Sequence, residues 1–161
     1  MTEEVLPLRR GVLDTSTLIL LGRVAGAHAL PEEPLITAVT LAELTVGPLV
    51  ARTDKERAAR QAHLQQAEAD FDPLPFDRAA AHSFGQVAAS LRQSGRKHSA
   101  RAYDALIAAT AISCGLPVYT CNPDDFRGIA GLAVVTVALR DEQPTGSSEP
   151  ADPEGAEDWA T

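Results

Sequence analysis

Apolar residues fall along the chain in short blocks separated by acids, hydroxyls and turn residues. Val12 and Leu13 form the first block, followed by Asp14 and then Thr15, Ser16 and Thr17 as candidate helix caps before Leu18 to Leu21. The order is strand, acid, helix. Leu35, Ile36 and Val39 predict a second strand, and Thr40-Leu41-Ala42-Glu43 has the S/T-x-x-E form of a capping box that opens a helix. Residues 53–70 are polar and Ala-rich, with Lys55, Glu56, Arg57, Arg60 and Glu68, and predict a solvent-facing helix. The link FDPLPFD leads into a further helix that Gly95 ends, and Ser99 stands as the cap of the next, which runs to Cys114 with Gly115 and Pro117 as stop signals. Val118 to Cys121 and Leu132 to Leu139 predict two more strands. Strands alternating with helices imply an α/β fold with a mostly parallel sheet.

Charge divides the 161 residues unevenly. The net charge is -8, but seven of the 22 acids lie in 141–161, which holds no Lys or Arg. The other fifteen acids face fourteen bases, so residues 1–140 are nearly neutral. The segment 141–161 is rich in Pro, Gly, Ser and acids and too poor in apolar side chains to offset its chain entropy. It is expected to be a disordered acidic tail, with Trp159 as its one large apolar residue. One domain over 1–140 is expected. No apolar run reaches membrane-spanning length and MTEEVLPLRR lacks the order of a signal peptide, which makes the cytoplasm the default location. Cys114 and Cys121 lack a C-x-x-C spacing and are expected to be reduced and buried.

One charge breaks the pattern. Asp104 stands inside "RAYDALIAATAISCG", and its i+4 and i+7 neighbours are Ala108 and Ala111, so it shares a small-residue apolar face. A carboxylate buried there without a partner would cost several kcal/mol. Taken singly, the other acids have plain explanations: Glu43 as the reciprocal member of a capping box, Asp14 as an Asx turn after a strand, Asp124 and Asp125 as first-turn acids after Asn122-Pro123. Taken together they have another. Ligands of an open α/β sheet gather beyond the carboxyl ends of its strands, where Asp14, Glu43 and Asp125 all fall. A cluster of carboxylate oxygens suits Mg²⁺ or Mn²⁺ rather than Zn²⁺, which recruits Cys or His. His28, His63, His82 and His98 are scattered in polar stretches and are expected at the surface. Two such ions can activate water and stabilise the leaving oxygen of a phosphodiester without a protein nucleophile.

The elements "LDTSTLI", "TAVTLAELTVG", "YDALIAATAI" and "YTCNPDDF", in this order, resemble the PIN-domain ribonucleases of the VapC toxin type over about residues 11–140. The resemblance implies a PIN-like three-layer α/β/α sandwich and a Mg²⁺- or Mn²⁺-dependent endoribonuclease that leaves 5′-phosphate and 3′-hydroxyl ends. It also implies a homodimer and a cognate antitoxin whose basic residue enters the acidic site. Carried over by position, Asp14, Glu43 and Asp104 match metal-holding acids, and Asp125 matches the acid of the "DF" ending. Asn122 occupies a position where the family has Asp or Asn, and Asp124 is an extra carboxylate ranked below Asp125. Thr15 or Ser16, and Thr120, match hydroxyls that orient acids or water, and Gly47 matches a packing position.

RNA binding requires positive charge to meet phosphates. Arg92, Arg96, Lys97 and Arg101, with His98 beside them, precede Asp104, and Arg96, Lys97 and Arg101 are the expected phosphate contacts. Arg52, Lys55, Arg57 and Arg60 are expected on a solvated helix face, in a region where the resemblance suggests an antitoxin groove. The aromatics Phe71, Phe76, Phe84, Tyr103, Tyr119 and Phe126 sit mostly in apolar contexts, which favours a folded RNA read by shape over stacked single-stranded bases. Competing readings fit less well. A phosphoacceptor receiver domain wants an acid pair after the first strand and a late Lys, but Thr15 follows Asp14 and no Lys follows Lys97. A haloacid-dehalogenase-type phosphatase wants D-x-D, but Ser16 takes the second Asp position. A catalytically inactive PIN-like RNA-binding or scaffold module is the remaining alternative.

Overall fold

The computed structural model describes residues 9–97 and 101–140. The expected disorder of 141–161, the Ser99 cap and His98 lie outside the described residues. Four strands, β1 (Arg10–Leu13), β2 (Glu33–Leu35), β3 (Val118–Thr120) and β4 (Val134–Thr136), form a sheet in the order β2-β1-β3-β4. Every pairing is parallel: Val12 stands opposite Leu35 on one side and Val118 on the other, and Tyr119 stands opposite Val135. The helices are α1 (Thr15–Ile19), α2 (Ala38–Leu49), α3 (Asp54–Asp70), α4 (Arg78–Gln93) and α5 (Ala102–Ser113), with short 3₁₀ turns that include Pro123–Phe126.

Strand alternation divides the interior into two cores, one on each face of the sheet. Val12 and Val118 point into a core with Val87 and Leu91 of α4, the Ala-rich face of α5, Phe126 and Ile129. Leu13 and Tyr119 point the other way, into a core with Leu44, Ala67 of α3, Ile36 and Val137, flanked by Leu18 and Leu64. Helices therefore cover both faces, giving the expected three-layer α/β/α sandwich. Gly11 is required where β1 passes beneath Tyr119, since a Cβ there would lie 2.4 Å from Tyr119 Cε2.

Several local expectations are corrected. The second helix does not open at Thr40. Its cap is Thr37, whose hydroxyl accepts from the Thr40 N–H at 3.2 Å, so Val39 and Thr40 already lie inside α2. The strand-like character of Ile36 has a tertiary cause: Ile36 and Ala38 exchange main-chain hydrogen bonds with Leu74, within the FDPLPFD link. The last strand spans Val134–Thr136 rather than 132–139, because Leu139 leaves the parallel ladder to pair antiparallel with Val24. Both thiols are free, but Cys114 is exposed at the C-cap of α5 and Cys121 is only half-buried, against the expected burial of both.

Candidate active site

Asp14 directly follows β1 and caps α1, and its burial is matched by hydrogen bonds. Oδ1 accepts from the Thr17 N–H at 3.1 Å, while Oδ2 accepts from Thr120 Oγ1 at 2.8 Å and from Ser16 Oγ at 3.2 Å. The Thr120 hydroxyl is buried at the end of β3 and also accepts from the Asn122 N–H at 2.9 Å. The Asx-cap explanation of Asp14 is thus correct as far as it goes, and it leaves the same carboxylate at the carboxyl edge of the sheet.

Glu43 is half-buried in the middle of α2, outside the role of cap partner. Thr15 Oγ1 donates to its Oε1 at 2.7 Å and lies 3.0 Å from Thr40 Oγ1, so a hydroxyl pair from α1 and α2 fixes this side chain. Burial raises the Glu43 pKa, the Thr15 hydrogen bond opposes this, and the Asp14 charge adds to it. Thr40 is a site neighbour that sequence reading missed. Its spacing of three from Glu43 is visible in the sequence, where it reads as a helix cap.

Asp104 is the third residue of α5 and half-buried, where the first helical turn favours negative charge. Its pKa is pushed from 3.8 to about 6, first by burial and then by the charges of Asp125, Asp14 and Glu43, with Arg101 opposing. Three of the four acids singled out from the sequence therefore act on the fourth. Asp125 is half-buried in the Pro123–Phe126 turn and forms an ion pair with Arg101. Asp124 is not brought in: its side chain is 80% exposed and faces Arg127 at 3.7 Å. Asn122 is exposed and contributes its main-chain N–H to Thr120.

The expected phosphate contacts are placed unequally. Lys97 is exposed, Arg101 is committed to Asp125, and Arg96 donates to the main-chain carbonyls of Asp124 and Arg127. The second basic group behaves as a solvated face. Arg57 pairs with Asp54, Arg60 pairs with Glu56 and also donates to the Gly47 carbonyl at 2.9 Å, and a Cβ at Gly47 would lie 3.3 Å from Arg60 Cδ. His28, His63 and His82 are exposed, as expected. Tyr119 and Phe126 are buried, but Tyr103, 55% exposed, and Phe76, 38% exposed, depart from the apolar setting expected of the aromatics.

The donor set of Asp14, Glu43, Asp104 and Asp125 is all oxygen, with neither imidazole nor thiolate, and fits a hard divalent cation. Among the described residues, no three His, Cys, Asp or Glu side chains as placed are grouped closely enough to enclose one ion. Glu43 is held towards Thr15 and Asp125 towards Arg101, so holding a metal would require these side chains to turn from those partners. None of the described helices is long and apolar enough to cross a membrane.

Comparison with known proteins places the chain in a family. The PIN domain family matches residues 11–132, which leaves 141–161 outside the match. The chain is 43% identical over 129 residues to Ribonuclease VapC5 of Mycobacterium tuberculosis, covering 79% of this chain and 93% of that one. It is 29% identical to Ribonuclease VapC of Rickettsia bellii over 81% of this chain and 98% of that one. The crystal structure of VapBC-5 from Mycobacterium tuberculosis, a member of the VapBC family of toxin-antitoxin systems, superposes with a TM-score of 0.70 at 39% identity. That match covers 80% of this chain and 99% of the other. With its strand-end acids, parallel sheet and these relatives, the chain belongs to the PIN domain family and, within it, stands with the VapC-type members.

Proposed function

We propose that the chain is a metal-dependent endoribonuclease, the toxin of a toxin-antitoxin pair, with its nuclease domain in residues 1–140. The observation that carries this reading is the convergence of Asp14, Glu43 and Asp125 on the half-buried Asp104. The names of the relatives, a ribonuclease and a toxin-antitoxin complex, support the substrate class and the partner. Asp14, Glu43, Asp104 and Asp125 would hold Mg²⁺ or Mn²⁺. Bound there, divalent cations supply a polarised phosphate and an activated water, in the manner of two-metal hydrolysis. Ser16 and Thr120 orient Asp14, so this acid meets the cations with few rotamers left to fix, while Glu43 and Asp125 would exchange their Thr15 and Arg101 contacts for the cations. Lys97 is free to meet a phosphate of a structured RNA. An apolar groove lined by Leu18, Ile19, Leu21, Leu44, Ala67 and Phe71 supports docking of an antitoxin segment beside α3.

The test is cleavage of total bacterial RNA by the purified chain, read as new 5′ ends, with Mn²⁺ or EDTA and with Asp104→Asn. Discrete cuts that need both the metal and Asp104 are expected. Equal cutting by Asp104→Asn would sink the mechanism, and no cutting by the wild type would leave the inactive RNA-binding module as the better reading. A chain lacking 141–161 should cut as the wild type does; a large loss would refute the assignment of the nuclease to 1–140.

A further inference from the structure

Arg96 stands in a basic cluster that the sequence assigns to RNA phosphates, yet its guanidinium is already engaged. Nη1 donates to the carbonyl of Asp124 at 2.7 Å and to that of Arg127 at 2.8 Å, 28 and 31 residues away. These carbonyls bracket Asp125 and Phe126, in a 3₁₀ turn of four residues that has little stability of its own. The base of the guanidinium is fixed as well. The Arg96 N–H donates to the Leu91 carbonyl at 2.8 Å, which folds the chain back onto the end of α4 through Gly95 at φ +76.

A second contact joins the same two segments. Gly128, at φ +88, passes so close to α4 that a Cβ on it would lie 2.6 Å from Ser94 Oγ and 3.8 Å from Arg96 Cδ. The Ser94 hydroxyl donates to the Leu91 carbonyl at 2.9 Å, so it too is anchored on α4. The turn is thus held from below by the buried Phe126 and from the side by Arg96 and the Ser94–Gly128 approach. Asp125 lies between the clamped carbonyls, with its side chain paired to Arg101.

We propose that Arg96 is a positioning residue, which pins the Pro123–Phe126 turn so that Asp125 is kept beside Asp104, and that it is not a phosphate contact. This rests on the reading that Asp125 belongs to a metal site. Hydrogen bonds from a charged donor are about twice as strong as neutral ones, and two on one turn suffice to select its orientation. A neutral residue at 96 would leave both carbonyls to water and Asp125 free to point elsewhere.

Full-length wild type, Arg96→Ala and Arg96→Lys would be compared by three measurements: hydrogen exchange over 122–128, Mn²⁺ binding by calorimetry, and RNA binding in EDTA across a salt series. For Arg96→Ala we expect faster exchange confined to 122–128 and Mn²⁺ affinity lower by about 10-fold, the lower end for loss of a supporting contact at a metal site. RNA affinity and its salt slope should be unchanged, and Arg96→Lys, which keeps a donor, should recover part of both losses. A salt slope lower by about one with exchange and Mn²⁺ affinity intact would overturn the proposal and restore the phosphate contact. A wild type that takes up no Mn²⁺ would refute the metal reading by itself. The clamp would then stand on faster exchange in Arg96→Ala and fall on unchanged exchange.

Discussion

Asp104→Asn removes a charge from the place where the fold is least suited to hold one. An acid whose native pKa is raised binds its proton more tightly in the folded than in the unfolded chain, so its ionisation costs stability. The sign follows. The cost is small below the unfolded value of 3.8, grows as pH rises, and is complete above about 6. At about 1.4 kcal/mol for each tenfold change in the ionisation constant, the upper bound is about 3 kcal/mol. Partial exposure of Asp104 and its favourable place in the first turn of α5 reduce this to about 1–2 kcal/mol. In EDTA at pH 7.5, Asp104→Asn is therefore expected to melt about 3–6 °C above the wild type, and the gap should close as pH falls towards 4. Adding Mn²⁺ should reverse the order, since ions that bind only the native state raise its stability and the variant lacks a central ligand. Thermal melts across pH, with EDTA and with Mn²⁺, read all of this. A variant less stable than the wild type at pH 7.5 in EDTA, or a gap that ignores pH, would refute the crowded-carboxylate argument.

Three further changes test separate parts of the site. Thr37→Ala should lose about 1 kcal/mol in urea denaturation, because Thr37 caps the helix that carries Glu43; no loss would return the cap to Thr40. Thr120→Val keeps the shape of the side chain but withdraws a donor from buried Asp14 and an acceptor from the Asn122 N–H, and should cost about 1–3 kcal/mol and most of the cleavage activity. Full activity in that variant would remove Thr120 from the site. Arg101→Gln deletes the cation that lowers the Asp104 pKa, so the acid limb of the pH–rate profile should move to higher pH. The sign is fixed by the need for ionised Asp104: activity is lost as pH falls through its pKa, and an unmoved limb would show that Asp104 does not set it.

Local patterns made the layers of this fold legible and left its long-range contacts hidden. The polar run 53–70 and the Gly95 stop gave α3 and α4 nearly to the residue, because one solvated face and one positive-φ glycine are properties of the segment itself. Asp104 was legible for a similar reason, since a lone acid in an apolar helix is conspicuous wherever the helix docks. The start of α2 was misread because Thr37 and Thr40 both have a polar partner three residues on. What decides between them is the pairing of Ile36 and Ala38 with Leu74, some 36 residues away. Arg96 shows the same limit, since a basic residue beside a proposed site reads alike whether its partner is a phosphate or a carbonyl. Asp124 and Asp125 are adjacent and chemically identical in the sequence. Only the placement of Phe126 in the core and Arg101 beside the turn separates the exposed acid from the converging one.

The acids are unequal in how the protein supports them, and that inequality has a common origin. Asp14 accepts one main-chain N–H at the start of α1 and two hydroxyls, so its charge is spread over three donors before any cation arrives. Glu43 has one hydroxyl, and Asp125 has a guanidinium that a metal would have to displace or share. Among the described residues, Asp104 has only the start of α5 and the field of Arg101, set against three like charges. A strand-end cluster thus grades from a carboxylate that the fold holds unaided to one that it holds at a cost. The residue held at a cost is the one most in need of a cation. By the same reasoning, under the proposed toxin reading it would be the one most open to a basic side chain of an antitoxin, because both would relieve the same repulsion. On that reading activity and inhibition would be two uses of one electrostatic deficit, located at Asp104 and moderated from inside the chain by Arg101.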